Sequence, residues 1–332
     1  MTEERGSVRS EGPPAHLALV DPQMRATEEF LLEIVGSEYP FVSVLAQHLL
    51  RAGGKRLRVA FCWLGAGFGD RDPSREVDLT KLAAAIELTH LATLHHDDVI
   101  DEADTRRGVP SVNANWTNTL AVLSGDYLFA KSSQLAAEVG GEVPMVLAST
   151  IAALCEGQVK EIEASFRTDR SPDEYLAVIE RKTARLLGAA SYLGARVGGA
   201  DLEVARGLER YGISFGIAFQ VADDLLDFLG DAEQTGKPLG TDLKEGVYTL
   251  PLLHAIAERA EIAELLREET ELDPVVKAMH DLGSFGYARS VAERHAADAR
   301  DALLALPDVP ERGALEALVD FLLERMRVAS AA

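Results

Sequence analysis

Two short clusters of aspartates stand out because each lies inside a stretch of apolar residues. They are Asp97, Asp98 and Asp101 in ATLHHDDVID, and Asp223, Asp224 and Asp227 in FQVADDLLDF. Both follow the pattern D-D-x-x-D, which on a helix places the first and last carboxylates one turn apart on one face. Carboxylates among apolar side chains are costly without a cation, and Mg²⁺ prefers such oxygen ligands together with phosphate oxygens and water. One copy is often only a solvated acidic face, but two copies favour a magnesium site.

Two histidines, His95 and His96, directly precede the first cluster. Zinc ligation is an alternative interpretation, but no cysteine lies nearby and acids dominate the segment. We expect these histidines to pack in the interior or to support the ligands indirectly.

Several basic groups could bind the phosphate groups of a substrate held near the acids. The glycine pair in GGKRLR, residues 53–58, precedes an apolar run, so its free backbone N–H groups and cations could cradle a diphosphate. Further cations are Arg106 and Arg107 before the turn Gly108-Val109-Pro110, those in Arg181-Lys182-Thr183, and Lys237 in Thr235-Gly236-Lys237-Pro238. Each alone is typical of a solvated surface. Together with the acidic clusters they indicate phosphorylated substrates.

Composition excludes some classes of protein. The chain has 33 basic and 54 acidic residues, a net charge of -21, which disfavours nucleic-acid binding. No apolar run is long enough to span a bilayer, and the first residues lack the apolar core of a secretory signal. Cys62 and Cys155 give neither a disulfide framework nor metal-ligand spacing, so we expect free thiols and a cytoplasmic location.

The elements that position these residues are predicted to be helices. Apolar residues recur at helical spacing and prolines fall mostly between the periodic segments. The predicted helices lie near 22–36, 41–52, 57–68, 76–103, 117–139, 145–166, 173–198, 202–230, 249–260, 285–305 and 312–327. No alternating β-branched stretch indicates strands. We predict an all-α protein with a flexible segment at 1–20 and a single domain at 21–332.

The motifs, in this order and spacing, resemble the trans-isoprenyl diphosphate synthase (polyprenyl synthetase) family. The matching segments are GGKRLR (53–58), HDDVIDEADTRRG (96–108) and FQVADDLLDF (219–228), and the similarity extends from about 22 to 328. The resemblance implies a bundle of antiparallel helices around a deep central cavity, usually in a homodimer. It also implies Mg²⁺-dependent, head-to-tail condensation of isopentenyl diphosphate with an allylic diphosphate.

The resemblance further assigns roles to individual residues, with the six aspartates, Arg106 and Lys182 as the catalytic set. Asp97, Asp101 and Asp223 match magnesium ligands, for about three ions per site, while Asp98, Asp224 and Asp227 complete the clusters indirectly. Lys55, Arg58, His90 and Arg107 match the pocket for isopentenyl diphosphate. Arg106, Lys182, Thr183, Gln220 and Lys237 match contacts to the allylic diphosphate. One departure is Val247, which stands where relatives often carry a lysine, and Lys244 is a possible substitute.

Product length is predicted from the residues before Asp97. Thr89, Ala92 and Thr93 are expected to flank the growing chain, and the last two are small where short-chain relatives often place an aromatic. A helix rises ~5.4 Å per turn, near the length of one isoprene unit, so the helix before Asp97 predicts a product of about C30–C50, such as a quinone side-chain precursor. The alternative is that Ala92 only packs and another side chain forms the floor.

Other functions remain open at this stage. A synthase of geranylgeranyl or farnesyl diphosphate and a subunit of a heteromeric synthase are the alternatives. A class I terpene cyclase is disfavoured because it needs no second diphosphate pocket. Release of a long product would also favour peripheral contact with a membrane.

Overall fold

The computed structural model describes residues 15–229, 243, 245–266 and 272–328, and these are almost entirely helical. In chain order the helices are α1 (Asp21–Ile34), α2 (Pro40–Arg51), α3 (Leu57–Ala66), α4 (Glu76–Ile100), α5 (Val112–Asn115), α6 (Asn118–Val139), α7 (Val143–Glu163), α8 (Pro172–Ile179), α9 (Arg185–Val197), α10 (Leu202–Leu229), α11 (Leu250–Glu258), α12 (Ile262–Leu265), α13 (Leu272–Asp281), α14 (Ser284–Leu304) and α15 (Pro310–Val328). Short 3₁₀ turns precede α1 and α4, at Ala15–Val20 and Pro73–Arg75. The predicted all-α class is confirmed.

The predicted helix at 173–198 is interrupted rather than continuous. A π turn, Glu180–Ala184, separates α8 from α9. Helix α8 itself begins with a capping box, in which Ser171 and Glu174 each bond the other's backbone N–H. π turns inside helices frequently mark functional sites, and this one carries Lys182 and Thr183.

Part of the segment predicted to be flexible is ordered. Residues 1–20 were expected to be flexible, but Ala15–Val20 forms a 3₁₀ turn. Leu17 and Val20 are buried in the main core because their apolar side chains pack against the helices. Residues 1–14 lie outside the described part of the chain.

A two-residue hairpin corrects the expectation that strands are lacking. Thr105–Arg106 pairs antiparallel with Val109–Pro110. Arg107 (φ 54°) and Gly108 (φ 74°) both adopt the left-handed region at the turn, as tight hairpins require. The hairpin therefore fixes the two arginines that follow the first aspartate cluster.

The core is organised around α4 and α10. Helix α4 packs most extensively against α6, and α10 packs between α9 and α14. From Leu82 to Leu88 every residue of α4 is buried, which is typical of a helix surrounded by others. One cluster of buried apolar side chains reaches from Leu17 to Met326. Within the described residues, we find no helix with both the length and the apolar character needed to cross a bilayer.

Candidate active site

A cavity of about 610 Å³ opens between the helices that carry the two aspartate clusters. Its polar end is lined by Asp97 and Asp101 from the first cluster and by Asp223 from the second. Side chains of α3, α4, α6, α7 and α10 complete the wall. The structure therefore brings the two clusters together across one space, although they are far apart in the sequence.

The aspartates of the first cluster point in two directions. Asp97 and Asp101 face the cavity, and Asp101 directly follows the last residue of α4. Asp98 is fully buried, accepts a hydrogen bond on Oδ1 from Arg106 Nε at 2.7 Å, and forms an ion pair with Arg106, whose Nη2 lies 2.6 Å from the same oxygen. Arg106 also lines the cavity, so this ion pair fixes a positive charge beside the carboxylates of Asp97 and Asp101.

The second cluster follows the same division. Asp223 lines the cavity, whereas Asp224 is buried and accepts hydrogen bonds from Tyr175 Oη and from Gln220 Nε2. Gln220 Oε1 in turn accepts from Thr183 Oγ1 at 3.0 Å. Asp227 is half-buried and does not line this cavity.

Burial leaves the cavity carboxylates in need of positive charge. Burial raises the pKa of Asp97 to about 6, Lys182 opposes this rise, and Asp101 adds to it. Burial likewise raises the pKa of Asp223, against the lowering effect of Arg325. A cation placed between them would offset this cost.

The donor set fits magnesium better than zinc. Among the described residues, no three His, Cys, Asp or Glu side chains converge to hold a metal by themselves. Mg²⁺ is usually held by one or two carboxylates plus substrate phosphate oxygens, which suits oxygen donors facing one cavity from two helices. His95 is fully buried, and burial lowers its pKa to about 3. His96 Nε2 lies 3.1 Å from the Val122 carbonyl oxygen.

Opposite the aspartates, a basic pocket is built around one buried carboxylate. Glu87 on α4 accepts a hydrogen bond from Arg56 Nη1 at 3.0 Å, and both side chains are almost completely buried. Burial lowers the pKa of Arg58 to about 10, and Glu87 opposes that fall. Burial, then Arg58 and other arginines, hold the pKa of His90 well below its usual value, so its ring is neutral.

The four residues predicted to bind isopentenyl diphosphate differ in their position relative to the cavity. Arg58 and His90 line it, while Lys55 and Arg107 do not. Arg107 donates through Nη1 to the carbonyls of Leu49 and Gly53, which binds the hairpin to the turn before α3. A Cβ on Gly54 would stand 3.0 Å from the Arg107 guanidinium carbon, so this glycine permits the close approach.

The π turn places Lys182 and Thr183 at the cavity together. Lys182 contacts Glu161, and although burial lowers the pKa of Lys182, Glu161 and Asp97 outweigh burial and raise it overall. The ammonium group therefore stays charged beside the first aspartate cluster. Gly157 allows α7 to pack closely against the π turn, because a Cβ at this position would stand 2.8 Å from the Lys182 backbone nitrogen.

A second recess adjoins the first and shares several of its residues. Val247, Glu245 and Tyr175 line it, with Lys182 and Asp224. Val247 is half-buried there, so the place of the lysine common in relatives is taken by an apolar side chain facing the recess. Lys237 and Lys244 lie outside the described residues.

The three residues predicted to control product length separate in the structure. Thr93 lines the cavity, but Thr89 and Ala92 are fully buried and do not. Thr89 Oγ1 is instead bonded within the core, 2.8 Å from Ser132 Oγ. The remaining apolar wall comes from α4, α6, α7 and α10, namely Leu94, Ile100, Phe129, Ile151, Leu154, Cys155, Val159, Ile162 and Phe219.

Sequence reasoning missed several residues that shape the site. Glu87 carries the same signal as the aspartates, an acid inside an apolar stretch, and could have been found from it. Glu161 and Tyr175 show no distinctive local pattern. Arg325, near the end of α15, donates from Nη1 to Asp223 Oδ1 at 2.7 Å, and the two residues are 102 positions apart in the sequence.

Comparisons with known proteins agree with this geometry. A family model described as polyprenyl synthetase matches residues 40–282. The chain is 40% identical over 315 residues to nonaprenyl diphosphate synthase of Mycobacterium tuberculosis, covering 92% of this chain and 90% of that protein. It is 39% identical over 317 residues to heptaprenyl diphosphate synthase component 2 of Geobacillus stearothermophilus, covering 94% and 98%. The structure of a decaprenyl diphosphate synthase from Rhodobacter capsulatus gives a TM-score of 0.87 at 37% identity, covering 94% and 98%.

The fold and site define an all-helical prenyltransferase in which two aspartate clusters face one cavity beside a basic pocket. The chain belongs to the polyprenyl synthetase family, and the resemblance found in its motifs is confirmed.

Proposed function

We propose that this enzyme condenses isopentenyl diphosphate with an allylic diphosphate, head to tail and with trans geometry at each new double bond, to make a polyprenyl diphosphate of about C30–C50. The observation that carries the proposal is the shared cavity, which Asp97, Asp101 and Asp223 line together with Arg58 and His90. The carboxylates suit a metal-bound diphosphate leaving group, and the basic side chains suit a second diphosphate. The names of the relatives, nonaprenyl, heptaprenyl and decaprenyl diphosphate synthases, support a long product.

The allylic diphosphate would lie between the two aspartate clusters, facing Arg106 and Lys182. Divalent cations held by Asp97, Asp101 and Asp223, about three per site, would supply neutralising charge to the diphosphate as a leaving group. As the C–O bond breaks, negative charge grows on the diphosphate, and the charged Lys182 stabilises it. Arg106 is held in place for the same task by its ion pair with Asp98.

The second substrate would be oriented by the basic pocket. Lys55, Arg58 and Arg107 hold the isopentenyl diphosphate so that its double bond faces the allylic carbon, which is a proximity effect. The apolar wall limits water near the allylic cation, so the alkene attacks and the new C–C bond forms. The released diphosphate then takes the proton that the product loses, which leaves a longer allylic diphosphate.

The product assay tests the function directly. The purified chain is incubated with farnesyl diphosphate, isopentenyl diphosphate and Mg²⁺, and the products are sized by chromatography. We expect a dominant product of about C30–C50. A dominant product of about 20 carbons or fewer would favour a geranylgeranyl diphosphate synthase, and no product from the chain alone would favour a subunit of a heteromeric synthase.

A matched pair of substitutions tests how product length is set. Thr93 lines the cavity and Ala92 is buried next to it in the chain. We expect Thr93→Tyr to shorten the product because the ring enters the path of the growing chain. Ala92→Tyr should instead destabilise the fold by overpacking, by about 1–3 kcal/mol, with less effect on length. A shorter product from Ala92→Tyr alone would place the path on the other face of α4.

We also propose that the chain forms a homodimer in the cytoplasm. Large apolar side chains are exposed on α6 and α7, with Leu123 57% and Met145 71% exposed, and such surfaces commonly mark protein contacts. Ile100, Val159 and Ile162 are exposed at the cavity and would suit transient membrane contact during product release. Sedimentation of the purified protein tests the dimer, and a monomer at all concentrations would contradict it.

A further inference from the structure

An arginine from α15 contacts the carboxylate that the second aspartate cluster presents to the cavity. Arg325 Nη1 donates to Asp223 Oδ1 at 2.7 Å, and the two side chains are 32% and 37% exposed. Arg325 lies on the last turn of α15, beyond the residues that the family model matches. The ion pair therefore joins a cavity-lining carboxylate to a part of the chain that the aspartate motifs do not include.

Asp223 already lies among positive charges. Partial burial and then Arg325 lower the pKa of Lys55, while Asp223 raises it, so all three groups are within electrostatic range of each other. A divalent cation approaching Asp223 would meet two positive side chains for one carboxylate. In the described residues no cluster of three metal-ligating side chains is ready to outweigh that repulsion.

We propose that Arg325 is an internal counter-ion that suppresses metal binding at Asp223 until a diphosphate is present. Without substrate, the guanidinium occupies one oxygen of the carboxylate. A bound diphosphate would add negative charge beside Asp223, so that Asp223 could release Arg325 and would then be free to hold a divalent cation. Arg325 is thus a positioning residue, which makes metal loading on α10 depend on substrate.

The proposal deepens the proposed function and rests on Asp223 as a metal ligand, but its test needs no turnover. Arg325→Gln and wild type are titrated with Mn²⁺ in the absence of substrate, and bound metal is followed by electron paramagnetic resonance. We expect Arg325→Gln to bind Mn²⁺ about 2- to 5-fold more tightly, in line with the strength of a partly exposed ion pair. Arg325→Lys, which keeps the charge, should restore most of the wild-type affinity.

Two controls isolate the ion pair. Arg327 lies on the same last turn and is exposed, so Arg327→Gln should leave Mn²⁺ affinity unchanged. In an Asp223→Asn background, Arg325→Gln should also have no effect, because the carboxylate that it competes for has gone. A thermal shift gives a second readout, since added Mn²⁺ should raise the melting temperature of Arg325→Gln more than that of wild type.

Equal Mn²⁺ affinity in Arg325→Gln and wild type would overturn the proposal. Weaker binding by Arg325→Gln would also overturn it, because Arg325 would then orient the ligand rather than compete with the metal. Either result can occur in an enzyme that makes a long product normally. Failure of the product assay, by contrast, would leave the metal titration interpretable.

Discussion

The two ends of the site are charged oppositely, and they are compensated in different ways. In the basic pocket, the compensating group is Glu87, whose side chain is 2% exposed and cannot exchange with solvent ions. On the aspartate side, the compensating groups are Lys182 and Arg325, which are 27% and 32% exposed. The basic pocket is therefore part of the folded core, whereas the partners of the aspartates are within reach of solvent and can be exchanged.

The largest effect is expected where the compensating charge is buried. Glu87→Gln leaves Arg56 and Arg58 without their buried carboxylate and should lower the free energy of unfolding by about 3–5 kcal/mol. Glu28 bonds the same Arg56, but its side chain is 45% exposed. Glu28→Gln should therefore cost only about 0–1 kcal/mol. Urea denaturation measures both, and equal losses would remove the distinction between the two ends of the site.

The aspartate side should show the reverse pattern, with activity lost and stability kept. Asp97→Asn removes a ligand carboxylate and should lower kcat on the order of 10²–10³-fold, as for other groups that stabilise developing charge. Its stability should not fall, because a costly buried charge has been removed. Asp173→Asn, at the exposed start of α8, is the matched control. An active Asp97→Asn enzyme would contradict the assignment of this carboxylate.

The pH dependence of stability sharpens the same comparison. Because burial raises the pKa of Asp97 to about 6, the native state holds a proton that the unfolded state releases. Stability from this group is therefore lost as pH rises from about 4 to about 6, by about 3 kcal/mol. With chelator present, Asp97→Asn should gain on wild type by that amount between pH 4 and pH 7.5. A constant difference would show that Asp97 is solvated.

The smallest effect is expected at Val247, which faces the recess beside Lys182. Val247→Lys adds a cation where relatives often carry one and should lower KM for the allylic diphosphate by up to about 3-fold, as for a half-exposed ion pair. Val77→Lys, at a site 64% exposed on α4, controls for the change in net charge. An unchanged KM would mean that the existing cations already saturate the diphosphate.

Features that depend on local spacing were predictable from the sequence. The four-residue spacing in each aspartate cluster matches one helical turn, and prolines marked most helix ends, so the fold class and both helices that carry the aspartate clusters were predicted. Helix α13 was missed, although Pro274 lies inside its first turn, where prolines are common. The rotation of α4 was not predictable either, and it decides that Thr93 rather than Ala92 reaches the cavity.

Features that depend on distant packing were not predictable. The contact of Arg325 with Asp223 requires α15 to return across α10, and no local pattern encodes that path. Glu87 is different, because an acid in the run AAAIEL carries the same burial argument as the aspartates. It was overlooked because a single acid lacks the repeat that made the aspartate clusters conspicuous.

The π turn at Glu180–Ala184 has a consequence for insertions and deletions. Such a turn holds one residue more than regular helix, and each residue of a helix turns the chain by about 100°. Deleting one residue here would give a regular helix whose two flanks keep nearly their present rotation, because the wider turn absorbs the extra residue. The change would fall on the turn itself, which would no longer hold Lys182 and Thr183 together at the cavity. This irregular turn therefore lets a single helical segment pack in the core and also place polar side chains at the cavity.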